Sequence, residues 1–368
     1  MTQASPAQIL AAFDAAATER SINLPQKAYG AGAATWDLPH AGIPTHMILS
    51  FVGNFIRTDD ATGGTCVASP YWPFNALGPS SLVDYAGVTR IFADGWDLET
   101  MEIVKQFGAF PDDPYGAMPY AADVFTASIP TAQAGGGTSS APLIFGVIVP
   151  ISYMKASALG SYAATVPDGA AQYQLHERAV FGPTIDSPVT IDGVHCTNAQ
   201  IIGNWGITYY FLDAPNQVAV PLAALAQVHE VYRQQSTENL AAGADNVSNL
   251  LTGRTYYRVV QNVVENNTPS ILNIENLQFL IDSSTPALDE YLLPYLIRMR
   301  NEYGRDLPPG LILRDFTSKP WTPDSYGSLT VKNKLNGSFN PGSYANVVTL
   351  RECLYTPSGN LVQMGSGA

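Results

Sequence analysis

Between Ile274 and Phe316 the chain passes from strand chemistry to helix chemistry and back, and this run constrains the fold more than any other. Ile274-Glu275-Asn276-Leu277-Gln278-Phe279-Leu280-Ile281 is mostly apolar with partial alternation, the pattern of a half-buried strand. Thr285-Pro286 then offers an N-cap residue and a proline at the first helical position, with Asp289 and Glu290 in the first turn. Leu288, Leu292, Tyr295, Leu296, Met299 and Tyr303 recur on one side at helical spacing. Arg298 and Arg300 occupy the last turn, and Gly304 is the stop. Pro294 lies inside that span, so the helix either kinks there or begins there. After Pro308-Pro309-Gly310, residues 311–316 return to strand chemistry.

The same order of elements occurs earlier. Residues 144–151 form a buried-strand run, 155–164 have the makings of a short helix, and 173–181 alternate as a strand would. Two strand–helix–strand units, one in each half, point to two similar β-domains in tandem. Composition agrees. With 368 residues and 46% hydrophobic content there is enough apolar mass for more than one core. Glycine (31) and proline (27) are plentiful while charged residues reach only 13%, which favours turn-rich sandwiches over helical bundles. A net charge of −13 excludes an extended phosphate-binding surface, so no direct nucleic-acid partner is expected. No apolar run is long enough to cross a bilayer, and no signal peptide opens the sequence. Cys66, Cys196 and Cys353 are widely spaced and read as reduced core residues.

In chain order, Ser5-Pro6 caps a helix over 5–20 whose apolar face carries Ile9, Leu10, Phe13 and Ala17. It is too small to persist alone in water and needs a surface to lie on. That surface is its own domain, a neighbouring molecule or a lipid face. Strand candidates follow at 47–57, 71–75, 78–83, 88–92 and 95–99, with a turn at 59–64 and a glycine-rich surface loop at 132–141. Two more strands fall within 190–212. Asp213-Ala214-Pro215-Asn216 is the preferred domain boundary, being polar, proline-bearing and placed after a full set of strands. Further candidates are 218–233, 254–264, 271–281, 310–316, 329–335 and 347–355, before a tail at 358–368. The expected fold is therefore all-β: two tandem eight-stranded jelly rolls with a short helix inserted in each and an N-terminal helix. The divisions are a helical arm at 1–22, a first jelly roll at 23–214 and a second at 215–368.

Residues able to carry chemistry are sparse. His40, His46, His176, His195 and His229 include no pair at metal-ligand spacing, and His229-Glu230 lacks the second histidine of a zinc-protease helix. His195 and Cys196 are adjacent and would point to opposite faces of a strand. Gly30-Ala31-Gly32-Ala33-Ala34 neither follows a strand nor opens a helix, so it reads as a connection and not as a phosphate loop. Asp59-Asp60 and Asp112-Asp113 lie among turn formers, where aspartate serves the backbone. Asn246, Asn266 and Asn336 begin chance glycosylation matches. Arg57, Arg90, Arg254 and Arg258 are scattered over β segments, as solvated or interface pairs would be. No catalytic residue, metal ligand or cofactor is assigned.

Short motifs spread over most of the chain do carry a resemblance. After the amphipathic first helix come Gly78-Pro79-Ser80-Ser81-Leu82-Val83, Gly95-Trp96-Asp97-Leu98 and Lys105-Gln106-Phe107-Gly108-Ala109-Phe110. The middle holds Val149-Pro150-Ile151-Ser152-Tyr153, Leu159-Gly160 and Val166-Pro167. The second half holds Val231-Tyr232, Glu238-Asn239, Asp306-Leu307-Pro308-Pro309-Gly310, Tyr326-Gly327-Ser328-Leu329 and Val331-Lys332-Asn333-Lys334. In this order the chain resembles the major capsid protein of tailless, internal-membrane-containing bacteriophages of the tectivirus type, the double jelly-roll lineage. Its first segment departs from that pattern in being short and weakly basic.

The resemblance implies a structural coat protein and not an enzyme. Homotrimers of pseudo-hexagonal outline would tile an icosahedral virion assembled in a bacterial cytoplasm, over an internal lipid membrane. Its partners would be copies of itself, vertex (penton) proteins and minor capsid proteins. Ile9, Leu10 and Phe13 would carry a membrane or neighbour contact. Two other readings remain open from the residues alone: a β-sandwich enzyme acting on carbohydrate, which needs convergent carboxylates in a cleft, and a spike or lectin-like receptor-binding trimer.

Overall fold

A computed structural model describes residues 4–30, 32–106, 124–133, 135–162, 170–213, 227–237, 240–282, 284–304, 306–321 and 329–356. The first half opens with helix α1 (Pro6–Ala16), then β1 (Thr18–Asn23), β2 (Lys27–Ala28), β3 (Ala34–Leu38), β4 (Ile43–Asp59) and β5 (Cys66–Ala68). It continues with β6 (Ser80–Val83), β7 (Thr89–Ala93), helix α2 (Gly95–Gln106), β8 (Val124–Ala127), β9 (Gly137–Pro150), β10 (Ala171–Leu175), β11 (Val189–Ile191) and β12 (Cys196–Asp213). The second half begins β13 (Val228–Ser236), β14 (Asp245–Leu250), β15 (Arg254–Glu265), β16 (Thr268–Pro269), β17 (Ile274–Ile281) and β18 (Thr285–Tyr291). Helix α3 (Leu292–Tyr303), β19 (Leu311–Asp315), β20 (Leu329–Leu335) and β21 (Asn346–Tyr355) complete it.

The strand order repeats. In the first half β1-β12-β4-β9 face β3-β10-β6-β7, and in the second β13-β21-β15-β19 face β14-β20-β17-β18. Numbering the eight principal strands of each half along the chain gives the same two sheets both times: first, eighth, third, sixth against second, seventh, fourth, fifth. That shared connectivity is the jelly roll, twice. The helices repeat as well, since α2 and α3 each follow the fifth strand of their sandwich.

Alternation decides which face each strand buries. In β4, Met47, Leu49, Phe51 and Phe55 point inward, and β12 answers with Trp205, Ile207 and Tyr209. The Phe51 and Trp205 rings meet edge-on at 4.9 Å, with Phe145 of β9 at 5.6 Å from Trp205. Gly53 and Gly203 lie opposite each other, and a Cβ on Gly53 would come within 2.2 Å of the Ile202 carbonyl. Glycine is therefore required where these two long strands approach so closely.

The sandwiches are joined through one sheet. β7 of the first pairs in parallel with β13 of the second, Ile91 opposite Val231 and Phe92 opposite Tyr232. The resulting order β16-β15-β21-β13-β7-β6-β10-β3 crosses from one sandwich to the other without a break. One continuous apolar cluster runs through this seam, from Trp36 and Leu82 to Val231, Val263 and Leu350.

Several sequence readings change. Residues 95–99, read as a strand, form the start of α2. Asp94 Oδ1 accepts from the Asp97 N–H (2.8 Å) and Asp97 Oδ2 from the Asp94 N–H (3.1 Å), a reciprocal cap. Residues 95–104 are buried on every side, so no polar stripe marks the helix. Residues 285–291 are strand β18, and α3 begins only at Leu292 with Pro294 in its first turn. Asp289 serves the sheet, accepting from Asn276 and Gln278 across the pair. Gly304 does end α3, in the left-handed conformation with φ 72°.

Helix α1 stops at Ala16, and residues 18–23 pair with β12 as the outer strand of the first sandwich. Of the helix read at 155–164, residues 155–162 are turns and the remainder lies outside the described residues. Residues 71–75 are a turn leading into a short 3-10 helix, and 137–141, read as loop, open β9. The strand read at 173–181 ends at Leu175, while β3 and β14 were not anticipated. Asp112-Asp113, residues 214–216 of the boundary, the 358–368 tail and the motif residues 107–110, 166–167, 238–239 and 326–328 lie outside the described residues.

Candidate assembly site

Charged side chains concentrate where the two sandwiches meet, and they come from elements that the sequence scatters widely. Arg90 of β7 reaches Asp84 (Nε to Oδ2, 2.7 Å) and Glu230 of β13 (Nη1 to Oε1, 2.8 Å). Glu230 also takes Arg254 Nε at 2.7 Å, and both guanidinium groups lie over the Tyr355 ring, at 5.6 and 4.7 Å. A second group lies one turn along the seam. Arg233 Nε is 2.8 Å from Asp97 Oδ2, and Arg178 Nη2 is 2.6 Å from Asp94 Oδ2. Tyr344 donates to Asp186, which pairs with Arg178.

The third group centres on Glu352 of β21, fully buried between Lys105 of α2 (3.0 Å), His229 Nε2 (3.0 Å) and Arg258 Nη1 (2.6 Å). His229 Nδ1 faces the Pro150 carbonyl at 3.2 Å, so this cluster ties β9, α2, β13, β15 and β21 together.

Electrostatics differ among these groups. Burial works against the Glu352 carboxylate, yet Lys105, His229 and Arg258 together hold it well below the usual carboxylate range. Asp97 goes the other way. Burial and the neighbouring Asp94 carboxylate push it up, against the pull of Arg233. A buried pair contributes little net stability against an apolar replacement, but removing one member strands the other. The seam is thus specific: the register that sets Ile91 opposite Val231 also brings Arg90 of β7 onto Glu230 of β13.

A carboxylate displaced upward is also a mark of catalytic sites. Here it borders a void of about 10 Å³ closed by Tyr71, Trp96, Asn262 and Val348, too small for any sugar. The open hollow of about 400 Å³ beside β5 and β11 is lined by Val67, Pro70, Ile185 and Ile191. Its one carboxylate, Asp192, is occupied by backbone N–H groups from Thr65, Val194, His195 and Cys196. The void does gather three carboxylates, Asp94, Asp97 and Asp186, but leaves no room for a substrate between them, and the hollow has Asp192 alone. Among the described residues no group of His, Cys, Asp and Glu could hold a metal ion, and no helix is long and apolar enough to cross a membrane.

The residues singled out in the first segment separate. Phe13 is buried on its own chain, packed with Ile43, Ala158 and Leu212, with Leu10 and Ala17 against that cluster. Asp14 Oδ1 accepts from the Ala158 N–H at 3.0 Å. Ile9 is half-buried. The Ser5–Gln8 capping box fixes the start of the helix.

Of the scattered arginines, Arg57 pairs with Asp59, and Arg90, Arg254 and Arg258 belong to the seam. His195 pairs with Asp60 at 2.8 Å on the outside while Cys196 is buried, as their adjacency requires. Asp60 also accepts from the Thr62 and Gly63 N–H groups. Asn246 is buried, which leaves it no use as a glycan acceptor.

Sequence reasoning missed Asp94, Asp97, Arg178, Arg233 and Glu352. The signal was there in part: β21 carries charges inside an otherwise apolar strand, and such charges are kept only when paired. Facing outward, Tyr291, Leu293 and Ile297 expose 64%, 66% and 54% of their surface on and beside α3.

No family model and no curated protein matches this sequence. Solved structures do match the fold. The crystal structure of the STIV MCP aligns over 92% of this chain and 97% of its own, with TM-score 0.65 and 14% identity. The atomic structure of Sulfolobus Turreted Icosahedral Virus contains a chain aligned over 92% and 91%, with TM-score 0.66 and 13% identity. A chain of the PBCV-1 virus capsid aligns over 95% and 98%, with TM-score 0.53 and 10% identity. The chain has the double jelly-roll fold that these capsid proteins share.

Proposed function

We propose that this chain is the major capsid protein of an icosahedral virus, a coat subunit and not an enzyme. The observation that carries the reading is the match to the STIV MCP, which covers 92% of this chain and 97% of that one and takes in both jelly rolls. Further support comes from charge that is gathered inside at the seam, and from apolar side chains such as Leu293 and Ile297 one turn apart on an outer helix face. In this reading three copies associate as a pseudo-hexagonal homotrimer, and trimers tile the shell beside vertex and minor capsid proteins. We further assign it to the tailless, tectivirus-type bacteriophages with an internal membrane, on the motif order described above, which places assembly in a bacterial cytoplasm.

The domains are divided at residues 214 and 215, with 1–22 as an arm whose last residues serve as a strand of the first sandwich. Phe13 anchors α1 to its own subunit, and the half-buried Ile9 and Leu10 beside it meet a neighbouring subunit or the membrane surface.

Native mass spectrometry of the purified protein tests this directly: a homotrimer is expected, and a monomer would overturn the reading. In purified particles this chain should be the dominant band, and a minor band would instead favour a spike. Deleting residues 1–16, which spares β1, should leave the trimer folded and impair shell assembly.

A further inference from the structure

Where the turn after β4 meets the turn before β12, two cysteines far apart in sequence are held side by side. Asp192 does the holding. Its Oδ2 accepts from the Thr65 N–H at 2.6 Å, and its Oδ1 from the Cys196 N–H at 2.8 Å, so one carboxylate bridges the residue before Cys66 and Cys196 itself. Cys66 is also fixed by the pairing of β5 with β11, where it lies opposite Ile191. On the other side Arg57 donates to the Gly64 carbonyl at 2.7 Å, and Asp59, opposite Cys196 in the ladder, accepts from the Gly64 N–H. The two segments approach closely: a Cβ on Gly64, two residues before Cys66, would come within 1.8 Å of the Cys196 backbone N. Both are free, Cys66 half-buried and Cys196 buried.

We propose that Cys66 and Cys196 are an oxidisable pair that closes into an intramolecular disulfide, tying β5 to the first residue of β12. The oxidant is a low-molecular-weight disulfide such as oxidised glutathione. The more accessible Cys66, as thiolate, attacks one sulfur of the oxidant and releases one glutathione thiolate. Cys196 then loses its proton and displaces the second glutathione from the mixed disulfide. Two protein thiols give up two protons and two electrons, and one glutathione disulfide becomes two glutathiones.

Burial pushes the Cys66 thiol up to about 12 and raises Cys196 as well, so little thiolate is present near neutrality and closure is slow there. The pair therefore stays reduced in a thiol-buffered cytoplasm and closes on prolonged exposure to oxidant. Because the bond spans a long stretch of chain, it restricts the unfolded state and raises thermal stability. Cys353 is buried beside Glu230 and is the internal control. The inference does not depend on the coat-protein reading.

The test uses the folded full-length chain, incubated at a pH of about 8.5 with oxidised glutathione or with diamide, quenched by alkylation and mapped without reduction. A Cys66–Cys196 cross-linked peptide is expected, two hydrogens lighter than the reduced pair, with Cys353 alkylated. The unfolding midpoint should rise on oxidation, and this rise should vanish in Cys66→Ser and in Cys196→Ser. Three alkylated cysteines in both reagents, a glutathione adduct that persists on Cys66, or a link to Cys353 would each overturn the proposal.

Discussion

Arg90 and Glu230 sit on parallel neighbouring strands of different sandwiches, with Nη1 and Oε1 2.8 Å apart and almost no solvent access. Because the two residues are distant in sequence and adjacent in space, the pair reports directly on whether the seam is formed. Replacing Arg90 by Met strands the buried Asp84 and halves the counter-charge at Glu230. The expected cost is about 3–5 kcal/mol. The double variant Arg90→Met, Glu230→Met should cost less than the two single changes added together. Chemical denaturation of the four proteins measures this, and strict additivity would mean that the pair is not coupled.

Asp97 gives the seam a pH dependence of defined sign. Its carboxyl is raised above the ordinary value of 3.8, so it holds its proton more tightly folded than unfolded. Its contribution is fully present below that ordinary value and is lost as pH climbs toward the folded one. Asp97→Asn keeps the acceptor that caps α2 and removes the titration. The thermal midpoint of the variant minus that of the parent should therefore grow from about pH 4 to about pH 8 and level off above. A difference that stays flat would mean that the carboxylate is ionised throughout.

Tyr295 pins α3 to the sheet beneath it. Its hydroxyl accepts from the Leu313 N–H at 2.6 Å and donates to the Leu313 carbonyl at 3.2 Å, both buried. Tyr295→Phe preserves the ring and leaves two backbone groups without a partner, at a cost of about 1–3 kcal/mol. Hydrogen exchange should locate the loss at the Leu313 amide, and unchanged protection there would contradict this account.

Phe13 holds α1 through one small cluster, separate from the main core. Truncation to alanine in a core costs about 3–5 kcal/mol, but here the effect should stay local. Limited proteolysis is expected to cut within residues 6–16 of Phe13→Ala while the thermal midpoint of the remainder hardly moves. A large drop in that midpoint would mean that the helix is part of the cooperative unit.

Reading the sequence succeeded where alternation and turn chemistry act alone. β15, β19, β20 and β21 lie within a residue of their expected bounds, because each carries strand-type residues between turn formers. The tandem was legible too, though through the wrong helix. Residues 155–164 stood in for α2, whose complete burial removes the polar face by which a helix is recognised. At 285–291 capping residues pointed to a helix, yet pairing with β17 prevailed, and Asp289 found sheet partners. The pairing across the seam could not be read, although charges buried in its strands hinted at partners. Which strand of one sandwich pairs with which strand of the other depends on contacts between residues far apart in the chain, and Arg90 carries no trace of Glu230.

The unbroken sheet across β7 and β13 has a mechanical consequence. Hydrogen-bonded strands slide or hinge far less readily than two bodies connected by a linker, so the protein resists flexing about its own middle. If such bricks tile a closed shell, as proposed above, curvature would have to be accommodated at the mortar between neighbours, and particle size would be set by contacts outside the chain.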